Sequence, residues 1–362
     1  MFECPNLLQH LRTTAFVLGT FVASAAQAAL SGPLYPGEDA LYTKAADEGL
    51  VVSFDTGPEW ANWKALFAEF RSRYPKVEIT YNDIGSAATV VTLDKSRRRP
   101  QADTAYYFAA SALDAKAKGV VAPFKPLNFE KLPAVFRDAD ARWFAVHSLN
   151  IAFLVNKKLV KDVPRRWSDL LKPEYRNAVV YLDPRSTGQG QVDVFAAAYA
   201  MGGSVDDPKP GADFFGKLKT AGNVLRVEGT TPYAKFVKGE IPVLIGYEND
   251  GLKAKYSDGM GDAAEVVIPQ DGSVSAPYAM SLVKNAPNPS AAELWLNFVM
   301  SDPGQTLFAQ GYVRPSVPGV TLAPEIAAKM PNAPQVHPLD VVKAAAQKAQ
   351  VDQLWSHATL GQ

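Results

Sequence analysis

Cysteine is all but missing from this chain: Cys4 is the only one in 362 residues. It precedes the apolar run over residues 15–26 and does not sit at the small-x-small step Ala26-Gln27-Ala28. It is therefore misplaced for a lipid anchor. A chain cut after Ala28 carries no thiol, which excludes disulfides and thiolate metal sites. Excess charge is missing too. The 37 basic residues balance 37 acidic ones, so no nucleic-acid or anionic-membrane face is supplied. The short basic run Arg97-Arg98-Arg99 reads as a solvated helix end. The N-terminal apolar run is too short to span a bilayer. Histidine is rare. His10 lies in the N-terminal segment, His337 and His357 lie toward the tail, and His147 stands alone mid-chain, where it reads as structural. No G-x-S-x-G, H-E-x-x-H, phosphate-loop or dinucleotide fingerprint occurs; Gly188-Gln189-Gly190 lacks the remainder of the last. With no nucleophile and base in reach, the sequence is not that of an enzyme, and it calls for no cofactor and no metal.

What is present begins with a secretory signal, residues 1–28: His10 and Arg12, the apolar run, and a cleavage step after Ala28. A cysteine-free exported product suits the bacterial periplasm. Beyond it, strand patterns alternate with helix patterns. Residues 50–54, 77–81 and 102–108 read as strands, and Trp60, Trp63, Leu66, Phe67 and Phe70 as the core stripe of one helix. Such alternation predicts an α/β fold with a parallel sheet, whose ligands sit at the carboxyl ends of the strands. Three loops there carry small hydroxyl residues into a helix: Gly85-Ser86-Ala87, then residues 183–190 with Ser186 and Thr187, then Gly229-Thr230-Thr231 ahead of Pro232. Each aims backbone N–H groups and a positive dipole end at one point, an anion-holding geometry. The apolar segment 151–156 opens a new set of elements and residues 276–283 return from it. The expected division is 29–150 plus 276–362 for one unit and 151–275 for the other. Residues 224–227 read as a strand, and residues 339–355 as one amphipathic tail helix.

The chain resembles the extracellular solute-binding proteins of bacterial ABC importers, in the group with ferric-ion, polyamine, thiamine, hexose-phosphate and aminophosphonate receptors. The resemblance covers about residues 50–318. It rests on Leu182-Asp183-Pro184-Arg185-Ser186-Thr187-Gly188, Gly239-Glu240-Ile241-Pro242-Val243, Asn285-Ala286-Pro287-Asn288-Pro289-Ser290 and above all residues 296–315, with Ser301-Asp302-Pro303-Gly304-Gln305 inside. It implies two α/β lobes of the type II-like periplasmic-binding-protein fold, two hinge crossings, and a cleft that closes on the ligand. It also implies a monomer that docks on the transmembrane subunits of an ABC permease. By motif, the family's contact loops fall on Thr56, Gly57 and Glu59, on Ser86 and Ala87, and on Tyr106. In the second lobe they fall on Ser186, Thr187 and Gly188, then Thr230 and Thr231, then Tyr247 and Glu248. Tyr278 and Arg314 are the last candidates.

The hydroxyl loops suit a phosphate, phosphonate or carboxylate. The acids Asp55, Glu59, Glu228 and Glu248 suit an ammonium group. A small oxyanion or zwitterion, such as a phosphonate or phosphate ester, is the expected solute. A polyamine held by the acids with Trp60, Tyr106, Tyr107 or Tyr247 as walls is one alternative, and a ferric-ion receptor of the same fold is the other. Ferric ion needs hard anionic oxygens. The ferric members carry a tyrosine pair in the second lobe, whereas Tyr106-Tyr107 falls in the first.

Overall fold

Local pattern and long-range pairing part company at two strands. The computed structural model describes residues 32–227, 232–330, 333 and 335–362. The expected signal segment, Thr230 and Thr231 lie outside the described residues. Residues 33–362 form one compact unit.

In chain order, α1 (Glu38–Glu48) leads into β1 (Leu50–Phe54), α2 (Trp63–Arg73), β2 (Glu78–Tyr81), α3 (Ser86–Lys95), β3 (Thr104–Phe108) and α4 (Ala109–Ala117). After β4 (Val121–Ala122) comes the long strand β5 (Phe144–Asn156). Next are β6 (Val179–Val180), α5 (Gly188–Ala200), α6 (Lys209–Thr220), α7 (Tyr233–Val237), β7 (Val243–Tyr247), α8 (Glu248–Tyr256) and β8 (Ala264–Val267). The chain returns through β9 (Ser273–Val283), α9 (Pro289–Met300), α10 (Asp302–Gln310) and β10 (Arg314–Pro315). It ends with α11 (Pro324–Ala327), β11 (Val336–Pro338), α12 (Val341–Ala346) and α13 (Lys348–Leu360).

The strands run in the order β2-β1-β3-β9-β5-β7-β6. β1 pairs parallel with β2 and β3, and β6 parallel with β7, as alternation with helices predicts. β9 and β5 depart from the expected parallel sheet: β9 is antiparallel to β3 and to β5, and β5 is antiparallel to β7. β5 changes partners along its length. Phe144 to Asn150 pair with β9, and Ile151 to Val155 pair with β7. One uninterrupted strand thus serves both halves of the sheet, and every residue of it is buried. A strand covered on both faces needs this near-continuous apolar composition.

Three other expectations change. Residues 224–227 form only an isolated bridge, Val179 to Val224. The tail is two helices meeting at Gln347, which ends α12 and precedes α13. The helix after β1 starts at Trp63, because Ala61 and Asn62 hold positive φ of 45° and 64° and break the helical run before it. Trp63, Leu66, Phe67 and Phe70 do form the buried stripe, and Trp60 is left outside it, half-buried.

Candidate functional site

The loop after β1 decides the first wall. Asp55 takes φ 65°, and its carboxylate accepts from the Gly85 N–H at 2.7 Å and from the Ser86 hydroxyl at 3.3 Å. The start of α3, read from sequence as an oxyanion position, therefore faces a carboxylate of the chain itself. Ser86 Oγ also accepts from the Phe108 N–H at 3.0 Å, so the hydroxyl ties three loops together. Asp83 lies so close to Gly57 that a side chain at 57 would overlap its carboxylate. Burial is the main cause that lifts Asp55 to about 6, and the neighbouring Asp83 charge adds to it against the Gly85 and Ser86 bonds.

Beside these acids stands an aromatic wall drawn from both halves of the sheet. Trp60 lies 5.9 Å from Tyr278 and 6.4 Å from Tyr247, ring centre to ring centre. Tyr106 stacks on Tyr278 at 5.6 Å and 23°. The Trp60 indole N–H donates to the Tyr106 oxygen at 2.9 Å. Removal from water raises Tyr106 and Tyr247 well above the usual phenol range and Tyr278 to about 12. Next to this wall, Gly188 opens α5. A Cβ there would come within 2.9 Å of the Phe108 ring, so only glycine allows this approach. Phe108 closes on Tyr278 as well, at 5.6 Å.

Among the residues expected at the site, Gly57, Tyr106, Gly188, Tyr247 and Tyr278 converge here. Ser86 reaches it through Asp55 and Phe108. Thr56 lies alongside but is fully buried, its hydroxyl donating to the Ser53 carbonyl at 3.1 Å. Glu59 and Ala87 are exposed. Ser186 and Thr187 bond within their own loop. Thr187 Oγ1 accepts from the Gly190 N–H at 3.1 Å and donates to the Asp183 carbonyl at 3.0 Å, capping its own helix. Both residues line a side cavity of about 550 Å³ with Tyr181, Leu225 and Trp355. Arg185 pairs with Asp183 at 2.6 Å and lies over the Trp355 ring. Glu248, 1% exposed, takes Arg314 and the Asn150 amide.

Two acids absent from the expected set matter. Asp83 completes the pair with Asp55. Asp193, on α5, is fully buried with neither carboxylate oxygen bonded among the described residues, and burial lifts its pKa far above the usual range. One signal for it was available: a lone acid between Val192 and Val194 on an apolar helix. Among the described residues no cluster of three or more His, Cys, Asp or Glu is placed to hold a metal ion, and no helix is long and apolar enough to cross a membrane.

The family described as "Bacterial extracellular solute-binding protein" matches residues 102–345. A protein of Haemophilus influenzae is 26% identical over 236 residues, which are 62% of this chain and 65% of that protein. The putative 2-aminoethylphosphonate-binding periplasmic protein of Salmonella typhimurium is 26% identical over 256 residues, 68% of this chain and 71% of its own length. The periplasmic binding protein AfuA of Actinobacillus pleuropneumoniae, solved with exogenous fructose-6-phosphate, shares the fold with a TM-score of 0.69. At 21% identity it covers 86% of this chain and 98% of its own.

Proposed function

This chain belongs to the bacterial extracellular solute-binding proteins, and from that premise we propose that it captures a small amine-bearing zwitterion, of the aminoalkyl phosphonate class, for an ABC importer. The family is one of periplasmic binding proteins, not enzymes. The observation that carries the reading is the Asp55–Asp83 pair set beside Trp60, Tyr247 and Tyr278. Two adjacent carboxylates at an aromatic wall favour an ammonium group. The first turn of α5, whose N–H groups carry the positive helix end, faces the oxyanion of the same solute. An aminophosphonate receptor among the relatives supports this pairing of charges.

The lobes in this reading are residues 29–150 plus 276–362, and residues 151–275. Closure rotates them about β5 and β9, and the solute favours the closed form because only there do Trp60 and Tyr247 both touch it. The closed form then docks on the permease. A polyamine is the second reading, favoured by the same paired carboxylates and aromatic wall.

A calorimetric and thermal-shift screen tests both readings with 2-aminoethylphosphonate, putrescine, fructose-6-phosphate, thiosulfate and ferric citrate. The zwitterion is expected to bind at one site and raise the melting temperature by mass action. Binding of putrescine alone selects the second reading. Binding of the phosphate ester or the ferric salt, with no response to either amine, overturns both.

A further inference from the structure

His147 is the one mid-chain histidine, and its surroundings assign it more than a place in the core. It is fully buried on β5, beside a bulge between Ala145 and His147. β10 pairs with it through Pro315, and β9 through Tyr278. Its ring stacks on Tyr278 at 5.4 Å and 20° and meets Phe308 at 4.9 Å. Strands on both sides and α10 above hold it in place.

Its Nε2 lies 2.8 Å from the Tyr106 oxygen, which in turn receives the Trp60 indole N–H at 2.9 Å. The directions of these bonds follow from chemistry. An indole nitrogen only donates, so the Tyr106 oxygen accepts from Trp60. The Tyr106 proton then needs an acceptor in a dry surrounding, and His147 Nε2 supplies it. The imidazole is therefore neutral with its proton on Nδ1. Burial pushes it the same way, down to about 3. His147 Nδ1 has no partner among the described residues. A leucine or phenylalanine would fill the space without burying an unpaired donor. Packing alone thus does not account for histidine here; an acceptor at Nε2 does.

We propose that His147 is a positioning residue: through Tyr106 it sets the plane of the Trp60 indole on the cleft wall, and so couples the crossing strand β5 to the surface that meets the solute. The proposal rests on the reading of Trp60 as a solute-facing wall. Without the acceptor at Nε2, the Tyr106 hydroxyl turns toward the indole nitrogen and meets it donor to donor. Trp60 is then free to leave the orientation in which its ring faces Tyr247 and Tyr278.

The test uses the processed full chain and the variants Tyr106→Phe, His147→Leu, His147→Gln and the Tyr106→Phe/His147→Leu double. Indole ¹⁵N labelling yields one N–H resonance for each of the six tryptophans, and Trp60→Phe identifies the one that belongs to Trp60. The Trp60 resonance is expected to shift in Tyr106→Phe and in His147→Leu, and to return toward its wild-type position in His147→Gln, which restores an acceptor. Affinity for 2-aminoethylphosphonate and putrescine is measured alongside. Tyr106→Phe and His147→Leu are each expected to weaken the binding probe by roughly tenfold, the effect of about one hydrogen bond, and His147→Gln to keep most of the wild-type affinity. The double is expected to weaken it no further, because both changes break one chain. An unmoved Trp60 resonance in a folded His147→Leu protein, or additive losses in the double, overturns the proposal. If His147→Leu does not fold, His147→Met, which keeps a flexible apolar side chain but no nitrogen acceptor, decides it by the same resonance: a Trp60 resonance at its wild-type position there overturns the proposal. If neither probe binds the wild-type protein, the solute reading falls, and the resonance still judges the relay on its own.

Discussion

The Arg314 guanidinium grips the Glu248 carboxylate with two bonds, 2.8 Å from Nε and 2.7 Å from Nη2. The pair joins β10 to the first residue of α8, and Asn150 Nδ2 adds a third bond to the same carboxylate at 3.0 Å. Asn150 is the last β5 residue paired with β9 before the strand turns to β7. A residue with the motif of a ligand contact is thus a fastening across the two halves of the sheet. Removing Arg314 leaves a buried charge unpaired. Arg314→Ala is expected to cost about 3–5 kcal/mol of stability in urea unfolding. Glu248→Gln turns one accepting oxygen into an N–H donor that meets Arg314 or Asn150, and is expected to lower the urea midpoint as well.

Asp55 makes stability and recognition respond oppositely to pH. Its folded pKa of about 6 lies above the ordinary 3.8. The folded state therefore binds this proton more tightly than the unfolded chain does. The contribution to stability grows as pH falls through 6 toward 4 and is lost as pH rises through that window. Recognition of an ammonium needs the ionised form. Calorimetric affinity for the amine solute is expected to fall by about tenfold per pH unit below 6. Asp55→Asn is expected to flatten both profiles.

Thr187 caps α5 with its own hydroxyl, although its loop reads as a ligand contact. Thr187→Ala is expected to lower stability by about 1 kcal/mol. Ser186→Ala is expected to change stability little, since that side chain is exposed. Neither change is expected to alter solute affinity; a large loss in Ser186→Ala would return this loop to the site.

Gly190 packs under the same loop. A Cβ there would lie 2.7 Å from the Asp183 carbonyl carbon and from the Pro184 nitrogen, both main-chain atoms that cannot swing aside. Gly190→Ala is expected to cost about 1–3 kcal/mol by overpacking, read as a lower denaturation midpoint. Gly57→Ala has its nearest atoms in the Asp83 side chain. It is expected to leave the melting temperature unchanged while weakening amine binding, because it displaces one of the paired carboxylates.

Much of the architecture was legible from residue order. The alternation of β1, α2, β2, α3 and β3 follows from periodicity alone. The family resemblance likewise rests on local runs of residues. The antiparallel setting of β5 and β9 was not legible, since a strand's own pattern does not say which neighbour it joins.

The individual contacts were settled by the tertiary structure. Sequence identified Ser86, Thr187 and Glu248 as polar residues in loops of the right kind, which is as far as local chemistry reaches. Whether each serves a solute or the protein depends on what long-range packing brings beside it. Folding set the Asp55 carboxylate against α3, Thr187 against its own helix and Arg314 against Glu248. It also turned Trp60 out of a helix stripe and into contact with Tyr106, Tyr247 and Tyr278. The physical reason is the same throughout. Periodicity and turn chemistry act over a few residues, whereas a buried polar group must find its partner wherever the fold supplies one.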